Sequence, residues 1–533
     1  MIALNNVYKT FETRVSVILE NTKPVYFVWC VFAGICLNLL LQICMNPVFY
    51  RDSTFYYQMA QSFSIGDWKN AFVLHLPVLY PSLAGIFVCC GIPSMPSMLL
   101  VSGIFYALTV FPLFHLLKQF FSEKYALVGV VLFALHYEAA AYYCAPLLDS
   151  GRIFFFTSLM ALIFSSRGFS WKGLTLCGIC YAALSLVRSE GIILAGMLMA
   201  AHLAWLIFQC KERFLRAIAG VFYSVAIMLV FCLPRLWQFY IETGIPALEM
   251  RQVNAISQFW NYFFPSHTFA MDRYVYCKGN DIDISSQGFF GNWRFYKNFF
   301  TGFFPLYLPF TVWGIVIVLR RKLWDCKYSV LLFLFAAYNL FHFLIEASAG
   351  RYFLINCVFA LPFTVRGGCD LFMLSKKCIP LKQFVAAALM IVAGILIYKS
   401  VFFSSSSKTN EYREFRKALH HNFPGQINLL MIGEERGVGY YLNVNACNYR
   451  NYPTGLASRV PLPDILKHGI DSREISYKQQ KNIKSPAFFD AILLNHSEKA
   501  KFAAAYPQFF QDSHILSEGK RYTLYRIQKT NNN

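Results

Sequence analysis

Charged residues are scarce in this sequence of 533 residues, where Asp, Glu, Lys and Arg together make up only 14%. A typical soluble domain carries about 25% charged residues. Hydrophobic residues reach 57%, aromatic residues 18%, and the mean hydropathy is +0.43. The shortage of charge excludes an ordinary soluble enzyme and a disordered chain. The composition instead indicates an integral membrane protein with many spans.

Acidic residues are the rarer of the two charged classes, with 28 Asp and Glu against 48 Lys and Arg and a formal charge of +20. In a soluble protein such an excess would suggest binding to nucleic acid. In a membrane protein, however, Lys and Arg collect on the cytoplasmic side. We therefore expect membrane lipids as neighbours and no nucleic-acid partner.

The sequence has no arrangement of cysteines that predicts a disulfide framework, although it holds 16 of them. Cys177 and Cys180 form a CxxC pattern, but it lies within the apolar segment LTLCGICYAAL, where cysteine behaves as a small hydrophobe. A zinc or redox site is therefore not predicted there. A cleavable signal peptide is also not expected, because the first 24 residues are polar and the apolar stretch that follows is long enough to span a membrane.

Apolar stretches of about 17–25 residues predict eleven transmembrane helices. The predicted spans are residues 25–45, 96–117, 125–144, 151–166, 171–187, 191–209, 217–234, 304–319, 328–345, 352–365 and 384–401. With the N-terminus inside, the six cytoplasmic segments hold eighteen Lys and Arg, whereas the short outer segments hold only five. The positive-inside rule thus predicts an inner N-terminus and an outer C-terminus.

Three stretches break the membrane pattern, and all three face outward in this topology. They are the Pro-broken loop 46–95, the aromatic-rich loop 235–303 and the tail 402–533. The tail follows a Ser-rich linker and has the composition of a soluble α/β domain. Strands are predicted at 427–433 and 488–495, helices at 411–421 and 497–510, and a hairpin at 514–528 that turns at Glu518-Gly519. We therefore expect a transmembrane domain, 1–401, and an outer α/β domain, 402–533.

Several ionisable residues are predicted at the outer membrane boundary. Each charged side chain there costs free energy, so it is a candidate for a functional role. Asp52 follows the first span, between Arg51 and a predicted helical stretch that holds Tyr56 and Tyr57. It could serve as a base facing a hydrophilic cavity, or it could be a solvated carboxylate paired with Arg51. His75 and Tyr80, in the segment HLPVLYP, could bond a phosphate or a sugar, or belong to a Pro-punctuated loop.

Further boundary charges occur in the later outer turns. Asp149 stands as a lone carboxylate at the entry of a span, and Arg188 precedes Glu190 by two residues. Arg351 and Tyr352 open the predicted tenth span. Structural ion pairs, Arg188 with Glu190 and Glu346 with Arg351, would also explain these charges. Because carboxylates and cations gather on one side of the membrane, the pattern also suits transfer from a lipid-linked phosphate, which needs a base for the acceptor and cations for the leaving group.

These motifs resemble those of the GT-C superfamily of polyprenyl-phosphate-sugar glycosyltransferases, in particular the bacterial branch related to protein O-mannosyltransferases and aminoarabinose transferases. The resemblance covers about residues 25–400. Arg51-Asp52 looks like the family's first acidic motif, HLPVLYP like its H/K-P-P-L-Y-P element, Asp149 like its second acidic residue, and Arg351-Tyr352 like its R-Y motif.

The resemblance implies an inverting glycosyltransferase of the inner (plasma) membrane with its active site on the outer, periplasmic side. Its donor would be a polyprenyl-phosphate-linked sugar and its acceptor a glycan, a lipid or a protein. Asp52 and Asp149 would be the catalytic residues. The substrate-binding residues would be Arg51, Tyr56, Tyr57, His75, Tyr80, Arg188, Arg351 and Tyr352.

Two departures from the family pattern affect these expectations. Ser53 stands where the family often has Glu, so one metal-ligand carboxylate is missing and a divalent cation becomes optional. Leu76 replaces the first proline of the loop element. A transporter or flippase of lipid-linked sugars is the alternative function, but it would favour repeated halves and charges near mid-membrane. The sequence has no such repeat. A structural or assembly protein with an outer domain is a third possible function.

Overall fold

A computed structural model describes most of the chain. It covers residues 23–44, 53–72, 76–136, 147–165, 169–188, 190–249, 252, 307–344, 350–375, 407–425, 427–432, 442, 445–449, 490–505 and 514–527.

The described residues before the tail form helices. Backbone N–H and C=O groups have no water to bond with inside a bilayer, so an apolar stretch satisfies them within a helix. The helices are α1 (Pro24–Cys44), α2 (Ser53–Ser64), α3 (Trp68–Ala71), α4 (Leu79–Cys89), α5 (Ser94–Leu117), α6 (Glu123–Ala134), α7 (Asp149–Phe164), α8 (Trp171–Val187), α9 (Gly191–Phe208), α10 (Phe214–Thr243), α11 (Leu308–Arg320), α12 (Cys326–Leu344), a 3₁₀ helix (Gly350–Ile355) and α13 (Asn356–Ser375).

Ten of the eleven predicted spans overlap one of these helices, which confirms a mainly helical architecture. The eleventh, 384–401, lies outside the described residues. Among the described residues, five helical segments are long and apolar enough to cross a membrane, namely α1, α5, α9, α10 and residues 351–371. Helix α10 runs nine residues beyond its predicted end at 234. It ends before Gly244, a glycine cap in the left-handed backbone conformation with a φ of 74°.

The helices pack around an apolar core in which small residues allow close approach. A Cβ on Gly314 of α11 would lie 1.9 Å from the carbonyl oxygen of Phe363, and one on Gly367 of α13 would lie 2.0 Å from that of Phe310. The two backbones therefore touch, as is common where membrane helices associate through small residues.

Loop 46–95 is more ordered than its composition indicates, because its described residues fold into α2, α3 and α4. Helices α2 and α4 pack against each other and α4 against α5, with Tyr56, Met59, Tyr80 and Ala84 in a shared apolar cluster. The greater part of loop 235–303 lies outside the described residues.

The described residues of the tail form a five-stranded sheet with helices α14 (Ser407–Asn422) and α15 (His496–Ala505). Its strands are β1 (Asn428–Ile432), β2 (Asn445–Tyr449), β3 (Ala491–Asn495), β4 (His514–Glu518) and β5 (Tyr522–Arg526), in the order β2-β1-β3-β5-β4. β1 runs parallel to both β2 and β3, and β5 is antiparallel to β3 and β4.

The predicted strands and the hairpin of the tail are confirmed, and both predicted helices begin close to where they were expected. Strands β1 and β3 are central and apolar, with Leu429 and Leu493 fully buried, which is why their sequences are readable as buried strands. Phe415 and Leu419 of α14 pack into the same core. β2 was not predicted, because Asn445–Tyr449 (NACNY) has neither an apolar run nor an alternating pattern.

Candidate functional site

The described tyrosines of loop 46–95, the first of the predicted outer loops, are mostly buried and hold that loop against the helix bundle. The rings of Tyr56 and Tyr80 meet edge to face with 5.7 Å between their centroids. The Tyr80 hydroxyl donates to the carbonyl of Met98 at 2.8 Å and lies 3.0 Å from the hydroxyl of Ser102. Tyr57 is half-buried. In this structure Tyr56 and Tyr80 therefore pack within the loop.

The same cluster reaches the entry of α7. The Ser102 hydroxyl also lies 3.0 Å from the carbonyl oxygen of Leu147. Leu148 and Val187 share the apolar cluster of Tyr56 and Tyr80. Since the next residues along the chain are Asp149 and Arg188, the packing of the first outer loop also fixes the positions of these two charged residues.

Four charged residues form a buried ion cluster where α7 and α9 begin and α8 ends. Arg152 and Asp149 are fully buried, and Arg188 is 5% exposed. Arg152 lies 3.3 Å from Asp149 and 2.9 Å from Glu190. Arg188 pairs with both carboxylates as well. Two guanidinium groups thus face two carboxylates, and the cluster is electrically balanced.

Local sequence explains why these charges meet. Asp149 and Arg152 are three residues apart on α7, so they lie on one helix face. Glu190 immediately precedes α9, where a negative charge is favoured by the helix dipole. Gly191 allows the tight turn between α8 and α9, because a Cβ there would lie 1.8 Å from the carbonyl oxygen of Leu184.

Mutual attraction keeps Glu190 and Arg188 ionised. Burial raises the pKa of Glu190, but the guanidinium groups of Arg188 and Arg152 outweigh burial and lower this pKa to about 2. Burial lowers the pKa of Arg188, but Asp149 and Glu190 outweigh burial and raise this pKa well above its ordinary value. Glu190 and Arg188 are therefore both charged at neutral pH.

Arg152 also connects the cluster to the later part of the chain. It donates to the Tyr338 hydroxyl at 2.9 Å and to the carbonyl oxygen of Arg351 at 2.8 Å. The Tyr338 hydroxyl in turn donates to the carbonyl of Tyr352 at 2.6 Å. A single buried side chain therefore ties α7 to the α8–α9 turn, to α12 and to the 3₁₀ helix.

Cations surround the ring of Tyr352. The guanidinium carbon of Arg188 lies 4.5 Å from the ring centroid and that of Arg351 lies 5.8 Å from it. The ring of His342 is 5.8 Å away. Arg188 and the adjacent pair Arg351-Tyr352, which were predicted from separate segments, thus meet at one place with Asp149.

Some hydrogen-bonding capacity of the cluster is unused. Among the described residues, the second carboxylate oxygen of Asp149 (Oδ2) and Nε2 of His342 have no hydrogen-bond partner although both atoms are buried. Buried polar atoms without a partner cost free energy. Asp149 therefore keeps one oxygen able to accept a hydrogen bond from a hydroxyl group.

A second buried arginine joins loop 46–95 to loop 235–303. Arg235 of α10 donates to the carbonyl of Leu248 at 2.8 Å and to that of Phe72 at 3.2 Å. Gln238, one turn later, also donates to Phe72, at 3.3 Å. These bonds hold the end of α3, just before His75, next to the start of the second outer loop.

The predicted site is only partly covered by the described residues. Arg51, Asp52 and His75 lie outside them, as does Glu346. The predicted pairing of Arg188 with Glu190 is confirmed. The reading of Asp149 as a lone carboxylate is wrong, because Arg152 and Arg188 both pair with it. The i,i+3 spacing of Asp149 and Arg152 was a readable signal for the first of these pairs.

The described part of the site does not suit a divalent cation. No three His, Cys, Asp or Glu side chains come together among the described residues. The two carboxylates of the cluster already face two guanidinium groups, which would repel a metal ion.

Comparison with known proteins identifies the fold. No family model and no curated protein matches the sequence. ArnT from Cupriavidus metallidurans, an aminoarabinose transferase solved with bound undecaprenyl phosphate, is similar with a TM-score of 0.58 and 10% identity over 95% of this chain and 98% of its own. The oligosaccharyltransferase AglB from Archaeoglobus fulgidus, in complex with an inhibitory peptide and a dolichol-phosphate, is similar with a TM-score of 0.52 and 11% identity over 90% of this chain and 71% of its own. Both are GT-C glycosyltransferases, so the predicted resemblance is confirmed at the level of the fold.

Proposed function

We propose that this chain is an inverting glycosyltransferase of the inner (plasma) membrane, which transfers a sugar from a polyprenyl-phosphate donor to a lipid, glycan or protein acceptor on the outer face. The observation that carries the proposal is the buried ion cluster of Asp149, Arg152, Arg188 and Glu190, which is joined to the first outer loop within a GT-C fold. Fold similarity alone does not assign an activity, so the argument rests on this site.

The proposed topology has eleven spans, an inner N-terminus and an outer tail. It is supported by the excess of Lys and Arg in the predicted cytoplasmic segments. Asp149, Arg188 and Arg351, predicted from three separate outer segments, lie together in the structure. That meeting is what a single outer site requires.

In the proposed reaction, an acceptor hydroxyl attacks C1 of the sugar from the side opposite the phosphate. The new C1–O bond forms while the bond from C1 to the phosphate oxygen breaks, and polyprenyl phosphate leaves. Asp52 takes the proton of the acceptor hydroxyl as general base. Asp149 orients the acceptor through Oδ2, the buried oxygen that has no hydrogen-bond partner among the described residues, while Arg152 and Arg188 hold its other oxygen.

The phosphate side of the site is assigned to Arg351, with Arg188 and His75 beside it. Arg188 already pairs with Asp149 and Glu190, so its charge serves the cluster first. Arg351 is half-buried and lies over the edge of the cluster at Tyr352. A guanidinium group there can form a bidentate contact with a phosphate.

Comparison of surface glycans tests the function in the cell. Deleting the gene should remove one sugar from a surface glycan, glycolipid or glycoprotein, detectable by mass spectrometry. The parent protein should restore the sugar, whereas Asp149→Asn, which keeps the shape and removes the charge, should restore it poorly at equal protein level. An unchanged mass profile after deletion would overturn the proposal.

A further inference from the structure

A cavity of about 880 Å³ lies between the helices at the end of the bundle opposite the ion cluster. Its walls come from the C-terminal parts of α5, α7 and α9, from α8, and from the start of α12. Leu162 in the wall and Asp149 in the ion cluster lie thirteen residues apart on α7, which corresponds to about 20 Å along a helix. The cavity is therefore distinct from the candidate active site.

The cavity combines an apolar wall with a cationic rim. Leu162, Leu176 and Trp205 form part of the wall, and Lys118 and Lys327 stand at the rim. Lys327 donates one of its three N–H groups to the carbonyl of Gln119 at 2.5 Å, which fixes the position of its ammonium group. Lys118 pairs with Glu123, but its side chain is 33% exposed, so this pair is weak in water.

The surroundings of the cavity are basic as well. Lys124 at the start of α6 and Lys172 at the start of α8 belong to the same set of predicted cytoplasmic segments as Lys118 and Lys327. In the proposed topology this end of the bundle faces the cytoplasmic leaflet, where anionic lipids attract basic side chains. A volume of this size also falls in the usual range of small-molecule sites, about 300–1,000 Å³.

We propose that this cavity binds one anionic phospholipid of the cytoplasmic leaflet, with the lipid phosphate at Lys118 and Lys327 and an acyl chain along Leu162 and Leu176. A rim of cations above an apolar wall matches a molecule with an anionic head and an apolar tail. The inference relies on the topology in the proposed function, but binding of the lipid does not depend on sugar transfer.

Native mass spectrometry of the purified full-length chain tests this site. The protein is taken from detergent into equal amounts of phosphatidylglycerol and phosphatidylcholine, which share a phosphate but differ in net charge. The parent should retain phosphatidylglycerol in preference. The double variant Lys118→Gln/Lys327→Gln should retain about 25-fold less of it, because each basic residue near an anionic lipid is worth about fivefold in binding.

A matched control removes the same amount of charge at the same end of the helix bundle, away from the cavity. Lys124→Gln/Lys172→Gln changes two exposed lysines that do not line the cavity, and it should retain phosphatidylglycerol like the parent. In a third arm, polyprenyl phosphate should bind the cavity variant as it binds the parent, because the donor site is at the other end. Equal retention of the two phospholipids by the parent, equal loss in both double variants, or loss of polyprenyl phosphate alone would each overturn the assignment.

Discussion

Because the buried ion cluster is balanced in charge, removing one of its charges should lower the free energy of unfolding. Arg152→Met removes one guanidinium group that pairs with Glu190 at 2.9 Å and with Asp149 at 3.3 Å, and leaves the cluster with one excess negative charge. The hydroxyl of Tyr338 and the carbonyl of Arg351 lose their donor as well. Removing one partner of a buried pair costs about 3–5 kcal/mol.

A compensating second substitution should recover part of that loss. In Arg152→Met/Glu190→Gln the remaining charges, Asp149 and Arg188, balance again, so the double variant should be more stable than Arg152→Met alone. The expected coupling free energy is about 1–3 kcal/mol. Unfolding in detergent, followed by size exclusion after heating, ranks the four proteins of the cycle.

An exposed ion pair supplies the matched control. In the pair of Lys118 with Glu123 the side chains are 33% and 48% exposed, so Lys118→Met should cost less than about 1 kcal/mol and Glu123→Gln should restore nothing measurable. If the Arg152→Met/Glu190→Gln double variant were as unstable as the sum of its single variants, the idea of a charge-balanced cluster would be refuted.

Three further predictions concern the rest of the site and the tail. Arg351→Lys should lose most of the transfer activity at equal protein level, because a point charge does not replace the planar fork of a guanidinium group, and full activity would move the phosphate role to another cation. Arg235→Gln should raise the KM for the acceptor about tenfold, which corresponds to the loss of one charge-assisted hydrogen bond, and should leave donor binding unchanged. An unchanged KM would show that the position of the two loops does not depend on Arg235. Residues 402–533 alone should unfold cooperatively by circular dichroism, and Glu411→Ala should destabilise them by about 1–3 kcal/mol, because Glu411 accepts from the backbone N–H groups of Arg521 at 2.9 Å and Tyr522 at 3.2 Å. A non-cooperative parent tail would show that the domain boundary is wrong.

The helices were predictable because their signal is local. An apolar run such as Pro24–Cys44 can satisfy its backbone in a bilayer only as a helix, so composition within one window suffices. The strands β1 and β3 were readable for a similar reason, since both are short apolar runs. The helical stretch predicted after Asp52 is confirmed by α2. Helix α4 was not predicted, because it is stabilised by packing against α2 and α5, which no local pattern records.

The ion cluster shows where prediction from the sequence ends. Asp149, Arg188 and Arg351 were found because boundary charges are costly and because the predicted topology puts these three on one side of the membrane. The role of Arg152 depends on Tyr338 and Arg351, which are 186 and 199 residues away in the chain. Contacts at such separations are set by how the helices pack, and neither spacing nor composition encodes them.

The central claim is that this chain transfers a sugar from a polyprenyl-phosphate donor with Asp52 as general base. The most direct measurement is transfer from a radiolabelled polyprenyl-phosphate sugar by the purified protein in detergent, where a flippase would have no second side of a membrane to act on. The parent should transfer the label, and Asp52→Asn should lose about 10²–10⁴ in rate while still binding the donor. Asp149→Asn should lose less, since it orients the acceptor without taking its proton. No transfer by the parent with any such donor, or an Asp52→Asn rate within about threefold of the parent, would contradict the account.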